Sequence, residues 1–209
     1  MFKYKIIDEF LNPEDFKILS NLNLKNISED EIMIYHNKIT KGGVISSGCM
    51  EKDLVQNLFN NYHHKALELL KELYPEKVSL WDYSEFHITQ TGSMYRYPMH
   101  RDSPTKLLSG VIYLAPINNK GTLLYKNKYD NDAKEIVWKQ NRALFFSRNE
   151  NNSYHSFEGN NQSTRLTLIY NLMTYDLKSV CKIEKINYQK VKVREFINPY
   201  LYRFFKKIF

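Results

Sequence analysis

From residue 78 to about 175 the chain alternates short β-branched and aromatic segments with polar clusters, such as those at 117–121 and 129–132. Apolar runs of this length, punctuated by Asn, Asp and Gly, read as strands. About eight of them at this spacing predict a sandwich or jelly roll. The N-terminal part is patterned differently. Tyr4, Ile6 and Ile7 suggest a short strand within residues 2–10. Asn12, Pro13, Glu14 and Asp15 then give an N-cap, a proline at the first helical position and acids in the first turn. A helix to about Leu22 follows, with Phe16, Leu19 and Leu22 on one side. Residues 24–50 are weakly patterned, with short strands expected at 32–35 and 44–46 around a Gly42-Gly43 turn. Over 53–74 the period becomes helical: Leu54, Leu58, Tyr62, Ala66, Leu69, Leu70 and Leu73 recur on one face, and Pro75 ends the run. Near the C-terminus Asn198-Pro199 looks like another helix start, followed by a stripe of Leu201, Phe204, Phe205 and Ile208. There are no internal repeats and no low-complexity segments.

Composition narrows this picture. A chain of 209 residues with 16 Tyr and 12 Phe, and with only 7 Gly and 6 Pro, is rich enough in apolar bulk to fold, which excludes disorder. We read residues 1–209 as one domain: a β core at about 78–175, strand and helix elements in 1–77, and a basic segment in 176–209. No run of eighteen apolar residues exists, so no membrane span is expected. Charges interrupt the first eight residues, which argues against a signal peptide. Cys49 and Cys181 lie far apart and form no CxxC pair, so free thiols in a reducing cytoplasm are expected. Of the net charge of +7, the 176–209 segment carries most, with nine Lys/Arg against three Asp/Glu. Such a run attracts acidic partners or forms a solvated face; the second is the commoner outcome. No interleaved aromatic and basic pattern accompanies it, so nucleic acid is not an expected partner.

The candidate chemistry sits in the strand-rich part. His100 and Asp102 are two apart, so on a strand they share a face. His155 lies in another aromatic, strand-like segment, and Arg165 begins an alternating run ten residues later. Two imidazoles and one carboxylate form the facial triad that holds non-haem Fe(II) and leaves positions open. A buried arginine beside it would be a fork suited to a carboxylate. His36, His63, His64 and His87 lack partners at ligand spacing and receive no role.

These residues also carry a family resemblance. His100-x-Asp102, about fifty residues, His155, and then Arg165 resemble the iron(II)/2-oxoglutarate-dependent dioxygenases, closest to the prolyl 4-hydroxylase-like branch. The flanking segments at 92–102, 109–114 and 121–125 add to the likeness, as does the Phe10-Leu11-Asn12-Pro13-Glu14 opening. The resemblance covers about residues 78–175. It implies a mainly β fold with flanking helices around a double-stranded β-helix (a cupin-like jelly roll). It implies Fe(II) on His100, Asp102 and His155, with 2-oxoglutarate and O2 as cosubstrates and ascorbate as a reductant. Arg165 would receive the distal carboxylate of 2-oxoglutarate, and Thr167, two residues on, would add a hydroxyl. Tyr113 occupies the place of a second carboxylate-binding tyrosine. Gln90, ten residues before His100, stands where some relatives place a cosubstrate-contacting tyrosine, a departure from the pattern. Tyr95, Tyr97, Leu124 and Phe146 are candidate walls, and the polar stretches 118–120, 126–135 and 148–153 are candidate substrate-defining loops.

The implied activity is hydroxylation of an unactivated C–H bond with decarboxylation of 2-oxoglutarate to succinate and CO2. A prolyl residue of a peptide or protein is the first candidate substrate, and an amino acid, sugar or other small metabolite the second. The alternative is a non-oxygenase cupin-like module that binds metal or a small molecule; it would have no use for Arg165 and Thr167. Oligomeric state is not legible.

Overall fold

The computed structural model describes residues 2–130, 132–149 and 152–205, with side chains as far as 197. It contains twelve strands: β1 (Tyr4–Ile7), β2 (Ile32–Tyr35), β3 (Lys38–Thr40), β4 (Gly43–Ile45), β5 (Tyr83–Thr91), β6 (Arg96–His100), β7 (Lys106–Ala115), β8 (Thr122–Tyr125), β9 (Lys134–Ile136), β10 (Ala143–Phe146), β11 (Tyr154–Glu158) and β12 (Arg165–Met173). The helices are α1 (Pro13–Ser20), α2 (Lys52–Leu73), α3 (Leu177–Ile183) and α4 (Tyr188–Phe205), and a 3-10 turn spans Pro75–Leu80.

Eight strands form the larger sheet in the order β1-β10-β7-β12-β5-β3-β4, and β2 joins β5 on the same edge as β3. The smaller sheet runs β6-β11-β8-β9. All pairings are antiparallel. This is the jelly-roll arrangement of two facing sheets that the strand spacing predicts.

Alternation along β12 explains the layering. Leu166, Leu168, Tyr170 and Leu172 join one buried cluster with Phe86 and Ile88 of β5, Ile112 of β7 and the inner face of α2. Arg165, Thr167, Ile169 and Asn171 therefore point to the opposite face, into the space between the sheets. A second, smaller core of Phe2, Leu124, Ile136, Leu144 and Phe146 closes one end of that space. Gly121 is required where β8 begins: a Cβ there would lie 1.8 Å from the carbonyl oxygen of Ile136.

α2 presents Val55, Leu58, Tyr62, Ala66, Leu69, Leu70 and Leu73 to the sheet. Val55 thus joins the expected stripe, and Leu54 packs half-buried at its margin. Burying each leucine or valine of this face is worth roughly 1.5–3 kcal/mol. The Asn12 cap forms as expected, its side chain accepting from the Asp15 amide at 2.8 Å. Tyr62 locks this end of α1 to α2 by donating to Asp15 at 2.6 Å and accepting from the Asn12 amide at 3.0 Å.

Two expectations about the C-terminus change. Asn198-Pro199 does not open a helix; both lie inside α4, which starts at Tyr188. The cap is Asn187, whose side chain accepts from the Lys190 amide at 3.0 Å. The side chains of the expected stripe, Leu201, Phe204, Phe205 and Ile208, lie outside the described residues. Nor is the basic segment simply a solvated edge. Val180, Cys181 and Val191 are buried. Glu184 reaches the interior, where it meets Lys77 at 2.8 Å and pairs with the Arg148 guanidinium. Lys77 also donates to the Arg148 carbonyl at 2.5 Å. Among the described residues, no helix is long and apolar enough to cross a membrane.

Candidate active site

β6 and β11 pair so that His100 and His155 face each other across the ladder, ring centroids 4.2 Å apart. β6 ends at His100, so Asp102 sits in the loop beyond the strand, and the loop turns its carboxylate to the same point. One ligand atom from each of His100, Asp102 and His155 lies within 4.8 Å of the others. Both imidazoles are oriented by carbonyls: His100 Nδ1 lies 3.0 Å from Pro98 O, and His155 Nδ1 lies 3.0 Å from Ser153 O. A carbonyl only accepts, so Nδ1 carries the proton and Nε2 keeps its lone pair, the tautomer a metal requires.

Burial favours the neutral rings. It lowers His100 to about 3, with help from His155, and it lowers His155 as well. For Asp102, burial alone would raise the carboxyl, but Lys106 and the two imidazoles overrule it and hold the group well below the usual carboxylate range. Lys106 Nζ stands 2.7 Å from one carboxylate oxygen, and Ser109 donates to the other at 2.5 Å.

The cluster opens into a cavity of about 390 Å³ between the sheets, within the roughly 300–1,000 Å³ range of small-molecule sites. Arg165 and Thr167 project into it from β12, with Tyr97, Phe146 and Phe157 among its walls. Arg165 is 2% exposed. Its guanidinium carbon lies 4.4 Å from the Phe157 ring centre, 5.3 Å from Trp138 and 5.6 Å from Tyr113. No carboxylate faces it among the described residues, and its Nε has no hydrogen-bond partner. Burial accordingly pulls it down to about 10. Ring faces contribute about 0.5–2 kcal/mol each, against a desolvation cost of several kcal/mol for a buried ion. The arrangement is incomplete without an anion.

The other expected site residues divide. Thr167 is buried on the cavity face, two residues from Arg165. Tyr113 meets Arg165 with its ring, because its hydroxyl is engaged elsewhere: it donates to Thr122 Oγ1 at 2.9 Å and Ile136 O at 3.2 Å, and accepts from the Thr122 amide at 3.0 Å. Gln90 is not brought to the cavity. It shares the face of β5 that carries Phe86 and Ile88, while its neighbour Thr89 lines the cavity instead. Tyr97 is a wall and Tyr95 is not; Phe146 is a wall, whereas Leu124 packs in the smaller core. The described residues of 118–120, 126–135 and 148–153 do not line this cavity. Its remaining sides come from β2 and from residues 100–103.

Several residues went unrecognised in the sequence: Trp138, which packs on Arg165 outside the cavity lining, and, in the lining, Lys106 on Asp102 and the group His36, Glu85, His87 and Asn171. A signal existed for one pair. Glu85 and His87 are separated by one residue on a strand, the same spacing that singled out His100 and Asp102.

Comparison with solved structures places this fold. A prolyl 4-hydroxylase from Pseudomonas putida superposes with a TM-score of 0.55 at 13% identity, over 83% of this chain and 94% of that one. A 2OG-Fe(II) oxygenase family oxidoreductase from Burkholderia pseudomallei gives 0.55 at 10% identity, over 81% and 84%. A prolyl hydroxylase from Trichoplax adhaerens, in complex with a hypoxia inducible factor peptide fragment, gives 0.53 at 14% identity, over 85% and 86%. The chain therefore has the double-stranded β-helix fold seen in 2-oxoglutarate oxygenases, including those of the prolyl hydroxylase branch. No protein-family model matches the sequence, and none of the curated proteins does.

Proposed function

We propose that this chain is an Fe(II)- and 2-oxoglutarate-dependent dioxygenase that hydroxylates an unactivated C–H bond. The observation that carries the reading is the Arg165 guanidinium: buried, without a counter-ion among the described residues, and on the wall of the same cavity as the triad. Two neutral imidazole nitrogens and one carboxylate fit Fe(II), and the donor set leaves coordination positions for cosubstrates. Bound there, iron with O2 supplies the oxidising power, and 2-oxoglutarate leaves as succinate and CO2. The residues do the rest. His100, Asp102 and His155 hold the metal, with Pro98 O and Ser153 O fixing the rings. Arg165 anchors the distal carboxylate, assisted by the Thr167 hydroxyl, and Phe157, Trp138 and Tyr113 shield that anchor from water. A prolyl residue of a peptide or protein is the first candidate substrate, in keeping with the two prolyl hydroxylases of like fold. We read residues 1–209 as one such domain acting in the cytoplasm.

The test is succinate formation from 2-oxoglutarate by purified protein with Fe(II) and ascorbate under air, uncoupled from any substrate. Metal-dependent succinate above a no-enzyme control is expected. Metal binding without any 2-oxoglutarate dependence would sink the reading and leave the cupin-like binding module in its place.

A further inference from the structure

Beyond the triad the cavity continues along β5 and β12, and its wall changes character. Glu85 and His87 project from β5, Asn171 from β12, and His36 follows β2. Glu85 Oε2 accepts from His87 Nε2 at 3.1 Å and from Asn171 Nδ2 at 3.0 Å. The Asn37 amide points at His87 Nδ1 from 3.4 Å, and His87 Nε2 carries a proton towards Glu85. His36 packs edge-on against the His87 ring at 4.5 Å. Burial would raise the Glu85 carboxyl, but the hydrogen bond and charge of His87, the hydrogen bond from Asn171 and the charge of Lys106 prevail and hold it below its ordinary value.

Two acceptors are left over. Among the described residues Glu85 Oε1 has no hydrogen bond. Asn171 is fully buried, and its Oδ1 has no partner. Turning the amide over does not help, because Glu85 can only accept and needs the NH2 group. The cations within reach are committed elsewhere: Lys38, directly opposite Glu85 on β3, lies over the Tyr83 ring, and the charge of Lys106 reaches Glu85 without bonding to it. Lys106 is held on Asp102 at 2.7 Å, and Arg165 lies six residues away along β12, about 20 Å at strand rise. A charged acceptor and a buried neutral acceptor side by side call for a donor that carries positive charge.

We propose that this wall is the substrate subsite for an ammonium or guanidinium group, so that the substrate is a basic amino acid, free or within a peptide, in place of the prolyl residue that the fold comparison alone would favour. The geometry gives the reach. Asn171 faces Ser109 across the ladder, and Ser109 is bonded to Asp102. Glu85 sits on the far side of Asn171, two strand spacings or about 10 Å from β7. That span suits an extended lysine or arginine side chain with its head on Glu85 and its stem passing the triad. Ile34, Val111 and Ile169 line the intervening wall and offer apolar surface to the methylenes. The reaction assigned to such a substrate rests on the oxygenase reading; the binding does not.

The experiment is calorimetric titration of the chain, metal-free and with Fe(II) and 2-oxoglutarate under argon. The probes are L-lysine and L-arginine against their neutral counterparts L-norleucine and L-citrulline, each free and as the N-acetyl methylamide. A preference of at least about tenfold for the basic members is expected, lost in Glu85→Gln and partly restored in Glu85→Asp, with melting curves confirming that the variants fold. The free and blocked probes tell a metabolite from a peptide side chain. Equal or better binding of the neutral probes, no binding of any basic probe up to about 10 mM, or a preference that survives Glu85→Gln would overturn the proposal. If basic probes bind while 2-oxoglutarate does not, the oxygenase reading falls and the subsite stands.

Discussion

Arg165, Thr167 and Tyr113 stand side by side, yet their chemistry predicts three different phenotypes. Arg165→Ala removes the cation that a buried carboxylate would face, a loss of about 2–5 kcal/mol. The expected result is 2-oxoglutarate binding weakened roughly 30-fold or more, with metal binding at His100, Asp102 and His155 unchanged; separate titrations of metal and cosubstrate check both halves. Thr167→Val removes one neutral hydroxyl and should cost only about 1 kcal/mol of that affinity. Tyr113→Phe should lower stability by about 1 kcal/mol instead, because its hydroxyl bonds to Thr122 and Ile136; denaturant midpoints and a cosubstrate titration separate the two. A fourth outcome concerns pH. His63 lies between Phe59 and Trp81, each 4.3 Å away, and burial lowers it to about 4. The unfolded chain takes up this proton first, so stability should fall as pH drops from about 6.5 towards 4. His63→Phe should flatten that part of the pH profile in thermal melts. At this scale Arg165 and Thr167 were legible because strand periodicity alone puts them on one face, whereas His100 and Asp102 were legible by their spacing although the loop after β6, not the strand, brings the carboxylate round. Glu85, His36 and Trp138 were not, since their roles depend on which strands become neighbours.

Elements were legible where local rules act by themselves. The Asn12 cap and the body of α2 were readable from adjacent residues, whereas the start of α4 was not. Asn198-Pro199 has the composition of a helix start, but Asn187 captures the role eleven residues earlier, and once the helix is running the later pair is carried inside it. The joint between α3 and the core was invisible as well. Lys77, Arg148 and Glu184 are charged residues scattered along the sequence, and only the packed fold brings them together without water. Breaking one member of such a group leaves the others buried and unbalanced, at about 3–5 kcal/mol. Glu184→Gln is therefore expected to lower the urea midpoint far more than Glu195→Gln, whose carboxylate is only half-buried.

For the molecule as a whole, the jelly-roll class followed from strand spacing, while the placement of the cavity between β5, β12 and the smaller sheet required the pairing order. The same order makes the C-terminal segment part of the structure. Removing residues 176–209 would strip Glu184 from Lys77 and Arg148, so the truncated chain should aggregate or melt at lower temperature, as static light scattering during a thermal ramp would show. The central position of β12 has a broader consequence. Its odd-numbered residues line the cavity, with the proposed cosubstrate anchor at one end and the proposed substrate wall at the other, and its even-numbered residues join the buried cluster that includes α2. Adding or deleting a single residue inside this strand would exchange those two sets wholesale, presenting leucines to the ligands and an arginine to the helix. The family of tolerated changes here should thus contain many substitutions and almost no length variants, an asymmetry that a library of β12 indels against β12 point changes would reveal in one selection.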